Sequence, residues 1–292
     1  MSKKERHDAT SETTWRKEYP LDGRLDEDQV WRLDILPQLD VLPDNVRNIW
    51  SYGVTEMLNN AIDHSEGSFV SVTILKDAVR HEIVIQDDGV GIFKKIQSAF
   101  DLVDENYAVL ELAKGKLTTD VQRHSGEGIF FTSRSVDTFA ILSGTVHFLH
   151  QGNQAEDYIF GRDYFGNKHK GTTVMLTLAN DSTRTTKEVF AMYTTEHDGG
   201  FGFDKTIVPV RLALHGDEML VSRSQAKRLL NRFDRFRIVV LDFEGVCEIG
   251  QAFADEVFRV FPNFHPTTEI CAVNANDWVQ KMITRAKDAD VK

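Results

Sequence analysis

Apolar positions along the chain change period several times, and each change marks an element. Over residues 44–64 they recur at helical spacing, with Ile49, Tyr52 and Met57 on one side. Asp44 follows Pro43 and can cap this helix, and Gly53 is its one weak point. Strict alternation then takes over at 69–75 and 81–86, predicting two strands of a hairpin. A helix is predicted at 105–114 and another opens at Gly126-Glu127-Gly128 and reaches about residue 136. Three strand-like runs follow at 139–149, 157–162 and 172–178. Beyond them strand and helix alternate: helix 187–194, strand 206–214, helix 222–233 capped by Ser222, strand 237–243 and helix 250–261. Strand 269–274 and helix 277–286 close the series. Phe253, Val257 and Phe261 share a side of the first of these last two helices, and Trp278, Met282 and Ile283 are expected inward on the second.

This order predicts an α/β (α+β) chain in two parts. Residues 1–27 are polar and aperiodic and are expected to be a flexible tail, and 28–182 form the first domain. A Thr-rich linker at 183–203, holding His197-Asp198-Gly199-Gly200, leads to a second domain at 204–287. With 292 residues, 41% of them hydrophobic, both parts can enclose a core. The net charge of −11 supplies no basic footprint for direct nucleic-acid binding. Cys247 and Cys271 are too few and too far apart for a metal cluster or disulfide framework, and Cys247 is expected to be a packed thiol. No apolar run approaches membrane-spanning length and no signal-peptide core follows the charged start, so a cytoplasmic protein is expected.

Four stretches carry candidate chemistry. Glu56, Asn60 and His64 recur every four residues and so share a helix face. An amide oxygen there suits Mg²⁺ and a carboxylate can orient water, although an ordinary solvated face has the same pattern. The strand ending at Asp87 runs into Asp88-Gly89-Val90-Gly91, a turn that lets a flat ligand approach the backbone, or simply an acidic turn. Gly126 and Gly128 stand before a helix N-terminus, where amides and the helix dipole favour phosphate. Lys170-Gly171-Thr172 enters a strand and can floor a pocket or begin an edge strand.

In this fixed order the four resemble the GHKL ATPase superfamily of gyrase, heat-shock chaperones and histidine kinases. The resemblance covers about residues 28–180 and implies a Bergerat-fold two-layer α/β sandwich, with ATP held between a helix and a lid. It implies that Asn60 holds Mg²⁺, that Glu56 polarises the attacking water or hydroxyl, and that Asp87 reads the adenine amine. Gly89 and Gly91 would let the base and ribose lie against the turn, Gly126 and Gly128 would meet the phosphates, and Thr172 would support the adenine side. Residues 93–125 would be the lid, with Lys114, Lys116 or Arg123 contacting phosphate. A histidine kinase would need an upstream phosphoacceptor hairpin, which the polar stretch around His7 is not expected to provide.

The second domain, centred on Ile238-Val239-Val240-Leu241-Asp242, resembles STAS domains and the STAS-like modules fused behind GHKL ATPases in bacteria. In STAS antagonists a serine in the turn before the next helix is phosphorylated by the cognate kinase. Here that turn reads Glu248-Ile249-Gly250-Gln251-Ala252, which holds no nucleophilic hydroxyl. The resemblance implies an ATP-driven, slowly hydrolysing switch that engages a protein partner or a second copy as a homodimer. The alternative is a protein serine/threonine kinase acting on a separate partner.

Overall fold

The computed structural model describes residues 13–117, 126–152, 157–160, 169–197, 200–214 and 219–289. The first domain is a seven-stranded sheet covered on one face by helices. Strand β1 (Thr13–Pro20) leads through α1 (Glu27–Gln29), wide turns at Val30–Ile35 and a tight turn at Leu36–Gln38 to the long helix α2 (Asp44–His64). The hairpin β2 (Phe69–Lys76) and β3 (Arg80–Asp87) is followed by α3 (Ile92–Ala99), α4 (Asn106–Lys114) and α5 (Gly128–Ser135). Strands β4 (Thr138–Gly144), β5 (Val146–Gln151), β6 (Asp157–Phe160) and β7 (His169–Ala179) complete the sheet. Its order is β1-β2-β3-β7-β4-β5-β6, antiparallel throughout.

The core follows from the two periods. Val46, Ile49, Trp50, Val54, Met57 and Leu58 on α2 meet alternate residues of the sheet: Val70, Val72, Ile83, Ile85, Ile141 and Leu176. Within this sheet, two strands depart from the sequence expectation. Residues 13–20, expected within a flexible tail, pair with β2 along their whole length. Arg16, Lys17 and Glu18 face water on this edge strand and obscure its alternation, while Tyr19 is buried. The run expected as one strand at 139–149 is two, because Gly144 takes a positive φ of 60° and turns the chain back.

Past the sheet, α6 (Thr186–Tyr193) begins at Thr185, whose hydroxyl and Glu188 form a reciprocal cap. The hairpin β8 (Thr194–His197) and β9 (Gly200–Phe203) then leads into β10 (Lys205–Pro209). The segment expected as a linker is thus regular over most of its length, and Val189, Tyr193 and Phe203 are core residues. Helix α7 (Arg223–Leu230), β11 (Ile238–Asp242), α8 (Gln251–Asp255), α9 (Phe261–Phe264), β12 (Glu269–Val273) and α10 (Asp277–Asp288) follow. Strands β10, β11 and β12 form a parallel sheet with β11 central. Ser222 caps α7 as expected, together with Gln225. Wide turns at Glu256–Val260 join α8 to α9 and accommodate Pro262, which lacks an amide for an ordinary turn. Trp278 was expected inward and is half-exposed; the buried stripe of α10 is Val279, Met282, Ile283 and Ala286, and Trp278 lies beside it. Cys247 is likewise exposed, in the loop after β11, where sequence suggested a packed thiol. Among the described residues no helix is long and apolar enough to cross a membrane.

The two parts share an interior. Leu110 and Ala113 of α4 and Phe130 and Phe131 of α5 belong to the apolar cluster of the second domain. Phe131 stacks on Phe190 with ring centroids 3.9 Å apart. Beside this contact Lys114 is buried, its ammonium 2.6 Å from Glu111 and 3.0 Å from the carbonyl of Asn231. Burial pushes its pKa down to about 8, against the pull of Glu111. Because the unfolded lysine keeps its proton up to about 10.5, the unfolded chain binds more protons between these values. Stability is therefore expected to rise as pH climbs from about 8 towards 10, and Lys114→Met should flatten this rise in urea titrations. Equal slopes in the two proteins would contradict the burial of a charged Lys114.

Candidate functional site

The C-terminal half of α2 forms one wall of a cavity of about 410 Å³, lined by Glu56, Asn60 and His64 among others. Their four-residue spacing explains why all three point to the same space. Gly53, one turn earlier, allows α5 to lie close: a Cβ there would stand 3.1 Å from the Thr132 methyl. This approach brings Gly128 onto Glu56, where a side chain on Gly128 would overlap the carboxylate. Glu56 therefore sits at the positive end of α5, which favours its charge. The phenol of Tyr52 is pushed up by burial first, and then by the charges of Glu56 and Glu127.

The opposite wall comes from the end of β3. Asp87 Oδ1 accepts hydrogen bonds from the amides of Gly89 at 2.8 Å and Thr172 at 3.2 Å. Thr172 Oγ1 in turn accepts from the amide of Ile92 at 3.0 Å, which fixes the start of α3. Gly89 is required by close approach, because any Cβ would collide with the Ser65 carbonyl. Burial raises the pKa of the Asp87 carboxyl, opposed by the two amides. Its neighbour Asp88 turns the other way and accepts from the amides of Ser68 at 2.6 Å and Phe69 at 3.1 Å. Of two adjacent carboxylates, the cavity receives one.

Seven of the nine site residues expected from sequence line this cavity: Glu56, Asn60, Asp87, Gly91, Gly126, Gly128 and Thr172. Gly89 lies in the turn beneath it. Lys116 does not point there. Its ammonium donates to the Arg235 carbonyl at 2.8 Å and sits over the Phe236 ring, so the expected phosphate contact is engaged with the second domain instead. Lys114 is likewise withdrawn into the interior, and Arg123 lies outside the described residues. Among the described residues, the lysine that lines the cavity is Lys95, whose ammonium bonds the His64 carbonyl at 2.6 Å and Glu66 at 2.9 Å. It escapes the sequence pattern when 93–125 is read as a single lid segment. The signal was the pair Ile92 and Ile96, one helical turn apart directly after Gly91.

The remaining walls are apolar, with Met57, Ile85, Ile96, Leu112 and Val174 among them. A flat hydrophobic ring fits between such walls, with Asp87 at its edge to accept a hydrogen bond. The other end offers the backbone of Gly126–Gly128 at a helix start, which suits an anion. Among the described residues no group of three or more His, Cys, Asp or Glu side chains could cage a metal ion. A divalent cation here would need oxygen atoms brought by the ligand, with Asn60 as a protein donor. In the second domain, the turn before α8 carries no acceptor hydroxyl: Gln251 donates to Asp255 at 2.9 Å and Ser222 is occupied in capping α7.

A family model described as histidine kinase-, DNA gyrase B- and HSP90-like ATPase matches residues 50–182. A second, described as a STAS-like domain of unknown function, matches residues 225–280. No curated protein matches the chain.

The glycines give a test of the site's construction. At Gly89 an added methyl meets backbone, whereas at Gly128 it meets the tip of the Glu56 side chain, which can move. Gly89→Ala is expected to lower stability by about 1–3 kcal/mol, and Gly128→Ala by less than about 1 kcal/mol. Differential scanning calorimetry of both variants checks this, and the reverse order would contradict the packing described.

Proposed function

We propose, for a chain that joins a GHKL-type ATPase domain to a STAS-like domain, that it is an ATP-driven regulatory switch. In this reading the bound nucleotide sets the position of the STAS-like domain, which engages a protein partner or a second copy. The observation that carries it is a single cavity walled by Glu56, Asn60, Asp87, Thr172 and the Gly126–Gly128 turn, with Leu112 of α4 on its far side. Since α4 also packs into the second domain's interior, what fills the cavity bears on the inter-domain contact.

Each residue has a distinct task. Asp87, its Oδ1 pinned by two amides, presents an acceptor to the exocyclic amine of adenine. The Gly126–Gly128 backbone meets the phosphates at the positive end of α5. Asn60 would hold Mg²⁺ through its amide oxygen, and the ion would supply positive charge for the phosphates. Glu56, on the same wall one turn from Asn60, accepts the proton of an attacking water. The buried, raised pKa of Asp87 matters too: the acceptor role belongs to the ionised form, so affinity is expected to fall as acid protonates it.

Incubation with γ-labelled ATP and Mg²⁺ tests the reading, with slow release of free phosphate expected. Label on a partner protein would instead favour kinase action, and the absence of both would reduce the role to binding. Asn60→Ala is expected to weaken Mg-dependent ATP affinity at least about tenfold by calorimetry. Glu56→Ala should retain binding and lose about 10²-fold or more of the turnover. Unchanged Mg-dependent affinity in Asn60→Ala would refute the metal assignment.

A further inference from the structure

Two helices end against each other where the domains meet. The C-terminus of α4 leaves carbonyls without partners in its own helix, and so does that of α7. A cation crosses in each direction, Lys114 to the end of α7 and Arg232 to the Glu111 carbonyl at 3.4 Å and the peptide just beyond α4. Lys114, the last residue of α4, donates to the carbonyls of Arg228 at 3.3 Å and Asn231 at 3.0 Å, at the end of α7. Arg232, just beyond α7, donates to the carbonyls of Gly115 at 2.7 Å and Lys116 at 2.5 Å, just beyond α4. The same guanidinium bonds Glu111 Oε2 at 2.8 Å. Arg232 holds a left-handed backbone, φ 65°, which aims its side chain back across the interface.

The segment gripped in this way runs directly into the cavity. Gly115 has φ 81° and no room for a Cβ, which would lie 2.7 Å from Phe203 and 2.8 Å from Phe130. Lys116 is tied to the Arg235 carbonyl, and Leu117 then lines the cavity. The amide of Leu117 donates to the carbonyl of Gly126 at 3.1 Å, and Gly126 itself packs on the Leu117 backbone. The turn offered to phosphate thus rests on a peptide whose preceding carbonyls are held by a residue of the other domain.

We infer that Arg232 is a positioning residue of the nucleotide site: by fixing Gly115 and Lys116 from the second domain, it sets Leu117 and the Gly126–Gly128 turn in their binding geometry. The inference rests on the nucleotide reading above and adds the route by which the second domain acts on the site. Arg232 does not line the cavity. Its effect passes through three consecutive peptide units, and a guanidinium is needed because two nitrogens must serve a carboxylate and two carbonyls at once.

The test compares wild type, Arg232→Met and Arg232→Lys in the full chain, using a non-hydrolysable ATP analogue with Mg²⁺. Calorimetry well below each melting temperature is expected to show at least about tenfold weaker binding for Arg232→Met, with Arg232→Lys between the two. A purely structural role would lower the melting temperature and leave that affinity unchanged, and this result would overturn the inference. Hydrogen exchange on the wild type gives a second measure that does not depend on a variant folding. The analogue is expected to slow exchange in residues 231–236 as well as around Leu117 and Gly126. Protection confined to the cavity would also overturn it. Failure of the wild type to bind the analogue would strike at the nucleotide reading itself, and so is distinguishable from both.

Discussion

The most directional contact between the two domains, set beside their shared apolar interior, is an exchange of cations between the ends of two helices. Helix ends carry partial negative charge on carbonyls that need donors. Here two such ends are brought together with exchanged cations, Lys114 donating to the end of α7 and Arg232 to the carbonyls just beyond α4. Glu111 lies between them and contacts both, 2.6 Å from Lys114 and 2.8 Å from Arg232. Removing either cation would leave buried carbonyls short of a donor and Glu111 with one cation in place of two, a larger penalty than the net value of any one bond. The contact is therefore specific in register as well as in orientation.

This explains why α4 has no outward face. It is a helix of nine residues with Ala108, Val109 and Leu112 in the interior of the first domain and Leu110 and Ala113 in that of the second. A helix held on both sides cannot tilt towards one without loosening its grip on the other. Since Leu112 also lines the cavity, α4 touches the cavity on one side and the second domain on the other. Coupling of this kind needs a differential free energy between two arrangements, and the capped carbonyls are discrete contacts, made or broken, that can supply it.

Much of the framework was legible from local pattern. The long α2, the hairpin of β2 and β3, and the strand-helix alternation after residue 204 follow from periods of 3.6 and 2, because each element has one buried face. Spacing also placed Glu56, Asn60 and His64 on one wall, since a four-residue repeat on a helix can point nowhere else. What remained hidden depended on contacts far apart in sequence. Edge strand β1 exposes charged residues and needs β2 beside it to declare itself. Lys116 carries a charge of the right sign for phosphate, but its direction is set by Phe236 and Arg235, more than a hundred positions away. Arg232 has no local signature at all: only the fold shows that the end of α4 lies within its reach.

A buried cluster with two cations and one carboxylate is a costly device for stability alone. Desolvation of Lys114 lowers its pKa despite the nearby carboxylate, so the charge is held there at some expense to folding. An apolar contact between the same helices would pack without that penalty, but it would tolerate sliding, because dispersion has little directionality. Hydrogen bonds from a planar guanidinium to two successive carbonyls do not tolerate it. They require Gly115 and Lys116 to present their oxygens at a fixed spacing, and through Leu117 that requirement reaches Gly126. Polar groups in this interface thus exchange some stability for position, which is the property the proposed switch would need of it.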